Sequence, residues 1–218
     1  MDRSKVAIIV PAFNEAQSIA GVISELLPYG IVIVIDDAST DGTSSTALES
    51  SAVVVKHPYN QGYDAALNSG FSKAADLGCD YAITFDADGQ HDASLIPKFI
   101  DLFSHGVDMV IGVRPQPARL GEYVFSLYAR WKFGVRDPLC GMKGYRMSIY
   151  QARGWFDSYQ SIGTELMLFG LRKQYTYEQM EVPIAARQGS GPRFGNRIKA
   201  NWRILRAITM SLWHYPVG

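Results

Sequence analysis

Tyr81-Ala82-Ile83-Thr84-Phe85-Asp86-Ala87-Asp88-Gly89-Gln90-His91 is the stretch on which the fold turns. Residues 81–85 form a short apolar run that predicts a buried strand. Two carboxylates one residue apart leave its end, and a glycine follows. In an extended strand residues i and i+2 point the same way, so Asp86 and Asp88 are expected to aim at one point beyond a sheet edge. Like charges that close repel, and a divalent cation relieves the repulsion. Oxygen ligands suit a hard ion such as Mg or Mn, which keeps positions open for phosphates. Gln90 can add a carbonyl oxygen. The bland alternative is a polar turn in which an Asp caps the next helix. Asp-x-Asp alone does not decide between the two; its surroundings do.

Upstream, Val6-Ala7-Ile8-Ile9-Val10 and Ile31-Val32-Ile33-Val34-Ile35 are apolar throughout, as strands of a parallel sheet are. Val53–Val55 makes a third strand and Met109–Val113 a fifth. Helices are predicted over 15–27, in a short stretch opened by the loop ending at Thr43, over 63–77 and over 92–103, where apolar residues recur at helical spacing. Asn14 with Gln17 reads as a capping-box variant, and Asp41 as a cap of the short helix. The alternation predicts an α/β fold, a Rossmann-like, mostly parallel sheet flanked by helices. Ligands of such sheets bind outside the carboxyl ends of the strands. Pro11–Glu15, Asp36–Asp41 and Asp86–Gln90 all fall there, which points to a nucleotide-type ligand. There is no Gly-x-Gly-x-x-Gly and no Walker loop, so the ordinary dinucleotide and ATP sites lose support.

The second half is less regular. Residues 119–133 carry Leu120, Tyr123, Val124, Leu127, Tyr128 and Trp131 as a helical stripe, with Arg119, Glu122, Arg130 and Lys132 off it. Such a helix either packs on the core or lies at a membrane interface. Asp137–Arg146 returns to extended structure, a helix is predicted over 163–172, and Tyr177–Val182 is a last strand. A basic loop, 187–193, leads to an amphipathic helix over about 196–213.

With 21 basic and 21 acidic residues the formal charge is zero, so no bulk attraction to nucleic acid is implied. The zero hides an asymmetry: no acidic residue follows Glu181, so residues 182–218 carry +6 and residues 1–181 carry −6. Cys79 and Cys140 are too few for a disulfide framework and read as reduced cytosolic thiols. The N-terminus runs straight into a strand without a signal peptide. No apolar run approaches the ~20 residues that span a bilayer. His57, His91, His105 and His214 have no metal-ligand spacing, and His91 is expected in the wall of its loop. Nothing decides between a monomer and a homodimer.

Val-Pro-Ala-Phe-Asn-Glu (10–15), Asp-Asp-Ala-Ser-Thr-Asp-Gly-Thr (36–43), Asn-Gln-Gly-Tyr-Asp-Ala-Ala (60–66) and Asp-Ala-Asp-Gly-Gln-His (86–91) together resemble a family 2 glycosyltransferase with the GT-A fold. The resemblance runs from Val6 to about Arg193. Asp137…Cys140-Gly141-Met142-Lys143-Gly144-Tyr145-Arg146 is similar to a segment of dolichyl- and polyprenyl-phosphate sugar synthases. Cys140 stands where Ser is usual, and Met142-Lys143 where Phe-Arg is common.

The resemblance implies a glycosyltransferase domain over 1–194, with a nucleotide-sugar half (1–113) and an acceptor half (114–194), and a basic amphipathic helix over 195–218. It implies a GDP-mannose or UDP-hexose donor held by Pro11, Ala12, Asn14, Glu15, Asp36, Asp37, Gly62, Asp86, Ala87 and Asp88. Asp37 is the expected base or ribose contact. Asp86, Asp88 and Gln90 are expected on Mg or Mn. Arg114, Arg119, Arg187 and Arg193 suit phosphate through the planar guanidinium fork. Asp88, Arg114, Asp137 and Glu165 are the expected catalytic residues, with Asp137 or Glu165 as base if the acceptor is a hydroxyl. The implied acceptor is a polyprenyl phosphate, reached by a peripheral protein at the cytoplasmic membrane face.

Overall fold

The computed structural model describes residues 2–115 and 120–183, together with Arg206 and Thr209. Within them one seven-stranded sheet has the order β3-β2-β1-β4-β6-β5-β7. The strands are β1 Val6–Ala12, β2 Ile31–Asp36, β3 Val53–Lys56, β4 Tyr81–Thr84, β5 Met109–Val113, β6 Lys143–Arg146 and β7 Tyr177–Glu181. Only β6 runs antiparallel to its neighbours, so the sheet is mostly parallel, as the apolar runs predict. Seven α-helices are described: α1 Ile19–Leu26, α2 Thr43–Glu49, α3 Tyr63–Asp76, α4 Ile96–Ser104, α5 Leu120–Phe133, α6 Met147–Arg153 and α7 Glu165–Arg172.

The alternation of strand side chains divides the core. Val6, Ile8 and Val10 pack with Ile19, Val22 and Ile23 of α1 and with Phe99 and Phe103 of α4. Ala7 and Ile9 pack on the other face with Leu67 and Phe71 of α3 and with Leu166 and Met167 of α7. Both faces are covered, which is why β1 carries no polar residue.

Several boundaries differ from expectation. The helix predicted from residue 15 starts at Ile19, and Asn14 does not cap it. Asn14 sits at φ +54° and its Oδ1 accepts the Thr40 N–H at 2.8 Å, so the first loop is tied to the second. Gly42, not Asp41, is the N-cap of α2; Asp41, one residue earlier, accepts the Thr43 N–H at 3.0 Å and the Ala16 N–H at 3.1 Å. β4 ends at Thr84, so Asp88 lies in a turn and its aim is not set by strand alternation. Helix α6 follows β6 without a break and was not expected. In α5 the stripe read from sequence is not the buried face. Phe125 and Ala129 face the core, whereas Tyr123, Val124, Leu127 and Trp131 are 52, 50, 51 and 75% exposed. Arg119, Arg187, Arg193, most of the helix predicted over 196–213 and the boundary at 194/195 lie outside the described residues. Arg206 is described, is helical, and donates from Nη1 to the Tyr159 carbonyl at 3.2 Å.

Candidate active site

Strand register gathers the three polar loops at one edge. Ala12 pairs with Asp36, and the Asp37 N–H donates to the Ala12 carbonyl at 2.9 Å. Thr84 pairs with Ile9, and the Phe85 N–H continues the ladder to the Ile9 carbonyl. Residues 11–15, 36–41 and 86–90 therefore leave adjacent strands side by side. Side chains then fasten them. Ser39 Oγ accepts the Asn14 N–H at 2.8 Å, Thr43 Oγ1 accepts the Glu15 N–H at 2.8 Å, and Ser18 Oγ donates to the Ala87 carbonyl at 2.7 Å. Pro11, Asn14 and Glu15 are half-buried in this edge, and Ala12 and Ala87 are buried.

The two aspartates of the second loop are both hydrogen-bonded within the scaffold. Asp37, expected to reach the base or ribose, is buried and engaged by the scaffold. Its Oδ1 takes His57 Nδ1 at 2.7 Å and the Gln61 N–H at 2.8 Å, and its Oδ2 takes the Gly62 N–H at 2.7 Å. A carboxylate accepts about four bonds, so one position on Oδ2 is left. Asp37 thus shapes the 60–62 loop first. Asp36 fixes its own loop through Ser39 N at 2.9 Å, yet its Oδ2 is buried without a hydrogen-bond partner among the described residues.

The Asp-x-Asp turn is built against β6. Asp86 is 34% exposed on its side chain, and His91 Nε2 lies 3.7 Å from its Oδ2. His91 is buried and packs edge-on against Phe85, in the loop wall as expected. Asp88 Oδ1 accepts the Gln90 N–H at 3.2 Å. Gly89, at φ +71°, makes the turn that a side chain would strain. Opposite, Gly141 lies so close that a Cβ there would overlap Asp86 Oδ2. Thr84 Oγ1 holds that backbone in place by donating to the Gly141 carbonyl and accepting the Lys143 N–H.

Two residues here were missed by sequence reasoning. Lys143 is buried and donates from Nζ to the Cys140 carbonyl at 2.7 Å and the Gly163 carbonyl at 3.3 Å. Burial pulls its ammonium below the usual lysine range. Tyr63 opens α3; burial, then the charges of Asp86 and Asp64, hold its phenol well above its ordinary value, so it stays a donor. The Met142-Lys143 departure was the one available signal for Lys143.

The donor chemistry of this turn suits a hard cation. Asp86 and Asp88 could hold it, with Gln90 beside them. Among the described residues no set of three His, Cys, Asp or Glu side chains forms a metal cluster. Two carboxylates with water and phosphate oxygens are the usual complement for Mg or Mn in a phosphate site. The space that Gly141 leaves at Asp86 Oδ2 fits that use.

Arg114 leaves the end of β5 and forks onto Asp137, with Nη2 also 3.1 Å from Glu122 Oε2. Asp137 is buried by the same pair, so neither is the free group expected; one guanidinium nitrogen of Arg114 has no such bond to either carboxylate. Arg114, Arg130 and Arg136 line a cleft of about 280 Å3 with Asp137, Glu181 and, from α5, Tyr123 and Leu127; Arg136 Nη1 donates to Glu181 Oε1 at 2.7 Å. The expectation for Glu165 is corrected. Its carboxylate is fully buried and takes donors from Arg153 Nη2, Trp155 Nε1 (2.9 Å), Ser158 N and Ser158 Oγ. It braces the 153–158 loop and has no face for a substrate.

A doubly wound sheet with a two-aspartate turn at its carboxyl edge, and an arginine cleft beside it, defines a glycosyltransferase of the GT-A class. The structure of glucosyl-3-phosphoglycerate synthase from Mycobacterium tuberculosis in complex with Mn2+ and UDP-glucose has the same fold, with a TM-score of 0.78 at 20% identity over 98% of this chain and 80% of that one. The model of glycosyl transferase family 2 matches residues 7–154, and the chain belongs to that family. Undecaprenyl-phosphate mannosyltransferase of Micrococcus luteus is 30% identical over 168 residues, 68% of this chain and 69% of that protein. Dolichyl-phosphate hexose transferase of Haloferax volcanii is 28% identical over 199 residues, 84% of each.

Proposed function

We propose that the enzyme moves one sugar, with inversion, from a nucleotide-diphospho-sugar, GDP-mannose or a UDP-hexose, to a polyprenyl or dolichyl phosphate at the cytoplasmic face of a membrane. The observation that carries the acceptor is the cleft in which Arg114, Arg130 and Arg136 meet the exposed apolar residues Tyr123 and Leu127. Guanidinium groups suit a phosphate, and the apolar rim suits the first prenyl units. The names of the Micrococcus and Haloferax relatives support the same acceptor class.

Pro11, Ala12, Asn14, Glu15, Gly62, Ala87 and the Asp86–Asp88 turn form the donor side. A divalent Mg or Mn on Asp86 and Asp88 would offset charge that builds on the departing diphosphate. An oxygen of the acceptor phosphate attacks the anomeric carbon, and the sugar–diphosphate bond breaks with its electron pair going to the nucleoside diphosphate. The attacking oxygen is already anionic at neutral pH, so no base is needed. The engagement of Asp137 and Glu165 within the scaffold agrees with this, and disfavours a hydroxyl acceptor activated by either. Asp137 instead orients Arg114 at the cleft.

No described helix is long and apolar enough to cross a membrane. The exposed face of α5, together with the +6 segment 182–218, would hold the enzyme on anionic lipid. The test is incubation with labelled GDP-mannose or UDP-glucose, polyprenyl phosphate and Mn. A charged sugar-phosphate lipid is expected, and Asp88→Ala should lower turnover on the order of a thousand-fold. Product found only on a saccharide or lipid-linked glycan, or an Asp88→Ala enzyme of full activity, overturns the proposal.

A further inference from the structure

A second cleft, of about 480 Å3, opens on the outer face of α3 beside the edge strand β3 and α6, away from the Asp86 turn. Trp155, Tyr150, Ser69, Ser72, Lys73 and Asp76 line it. From this lining we infer that the cleft binds a neutral saccharide ring.

Trp155 is 43% exposed and held rigidly. Its Nε1 donates to the buried Glu165 at 2.9 Å, and the Arg153 guanidinium sits 4.5 Å from the ring centroid. Arg153 takes one face of the indole and Glu165 its edge; a tryptophan held this way costs little entropy when the C–H face of a pyranose settles on the surface it leaves exposed. Around it the polar groups suit hydroxyls, which both donate and accept. Ser72 is exposed, and the half-buried Tyr150 lines the same cleft. Lys73 supplies donors, and Asp76 supplies acceptors one helical turn away.

Other ligand classes fit less well. Lys73 and Asp76 cancel, so an anion or a cation gains no net attraction. No helix N-terminus or glycine loop lines the cleft, which removes the usual phosphate cradle. Hydroxyl, ammonium and carboxylate groups would be left unpaired by an apolar ligand. The back wall is not isolated from the donor side: Ser69 Oγ is 2.8 Å from His57 Nε2, whose Nδ1 engages Asp37. The inference does not depend on the proposed donor or acceptor.

The test is saturation-transfer NMR on the full chain with methyl α-mannopyranoside and methyl α-glucopyranoside, with and without GDP or UDP plus Mn. Saturable transfer in the millimolar range is expected, unchanged by nucleotide and by Asp88→Ala. Trp155→Ala should abolish it but also strips a donor from buried Glu165. Ser72→Arg fills the cleft from an exposed position and should weaken binding at least about tenfold, some 1.4 kcal/mol, while the melting temperature holds. No saturable transfer, transfer displaced by nucleotide, or transfer undiminished in Ser72→Arg overturns the inference.

Discussion

Arg114 and Asp137 meet as a fork: Nε donates to Oδ2 at 2.7 Å and Nη2 to Oδ1 at 2.9 Å, while the Arg114 backbone N–H closes on Oδ2 at 3.1 Å. A lysine ammonium is a point charge and cannot make both side-chain bonds. Arg114→Lys should therefore keep the charge but lose its direction. The expected loss is about tenfold to a hundredfold in kcat/KM for the acceptor, or about 1.4–2.8 kcal/mol, with donor KM little changed. Initial rates with acceptor and donor varied separately check this. An equal rise in both KM values would place Arg114 elsewhere.

The same pair predicts an acid limb in stability. Burial alone would raise the Asp137 carboxyl, but the hydrogen bond and charge of Arg114 outweigh it and hold the group below its ordinary value. A carboxyl depressed in the folded state contributes stability that is present above its unfolded pKa, about 3.9, and is lost as pH falls through the folded value. The stability gap between wild type and Asp137→Asn should therefore be largest near neutral pH and shrink below about pH 4. Denaturant titrations across that window measure it, and a gap independent of pH would contradict the linkage.

Glu165→Gln separates bracing from chemistry. The carboxylate is buried among donors from Arg153, Trp155 and Ser158, so removing its charge leaves Arg153 without its ion-pair partner. Stability should fall by about 2–4 kcal/mol. Below the lowered melting temperature, kcat should stay within about twofold, since no proton passes through this group. A base would show itself by a loss of a hundredfold or more at unchanged melting temperature.

These cases mark where sequence reading stops. Apolar runs announced β1, β2, β3 and β5 because buried parallel strands must be apolar on both faces. The meeting of three polar loops at one edge followed from that. What a carboxylate does depends on the donors the fold brings to it, and those are distant in sequence: Asp37 is engaged by residues 57–62, and Glu165 by residues 153–158. Sequence alone reads both as substrate ligands; the fold engages Glu165 fully and Asp37 on all but one position. Sequence reading places Arg130 only off the α5 stripe and gives Arg136 no role; both are exposed, and the fold sets them with Arg114 on one cleft. Strand alternation is the ground for aiming Asp86 and Asp88 at one point, but the strand ends at Thr84, so that ground does not hold for Asp88.

The exposed face of α5 makes a prediction about membranes. Tyr123, Val124, Leu127 and Trp131 each leave half or more of their surface in water. Seating Trp131 and Val124 in a lipid interface removes apolar area worth about 1.5–3 kcal/mol per side chain when fully buried. The double variant Val124→Glu, Trp131→Glu, which spares Leu127 at the acceptor cleft, should thus lose at least about tenfold in partitioning to vesicles containing anionic lipid. Its turnover of a short, water-soluble prenyl phosphate should be largely kept. Sedimentation with vesicles measures the first, and undiminished partitioning would return α5 to a purely structural role.

Gly141 offers the cleanest test of the Asp-x-Asp turn, because its substitution touches function before stability. A Cβ at 141 would overlap Asp86 Oδ2, and that oxygen ends a short side chain that is 34% exposed. Asp86 can therefore rotate toward solvent, and the fold should hardly notice. A carboxylate turned away no longer shares a point with Asp88, and an ion between them would lose one of its two charged ligands. Gly141→Ala is expected to melt within about 2 °C of wild type, which corresponds to about 0.5–1 kcal/mol for a domain of this size. Its turnover at limiting Mn should fall about a hundredfold, the cost of a misplacement near 1 Å, and excess Mn should recover part of it. Metal titrations of rate for wild type, Gly141→Ala and Asp86→Asn give the answer. If Gly141→Ala needs no more Mn than wild type, the placement of Asp86 against this glycine has no bearing on the cation.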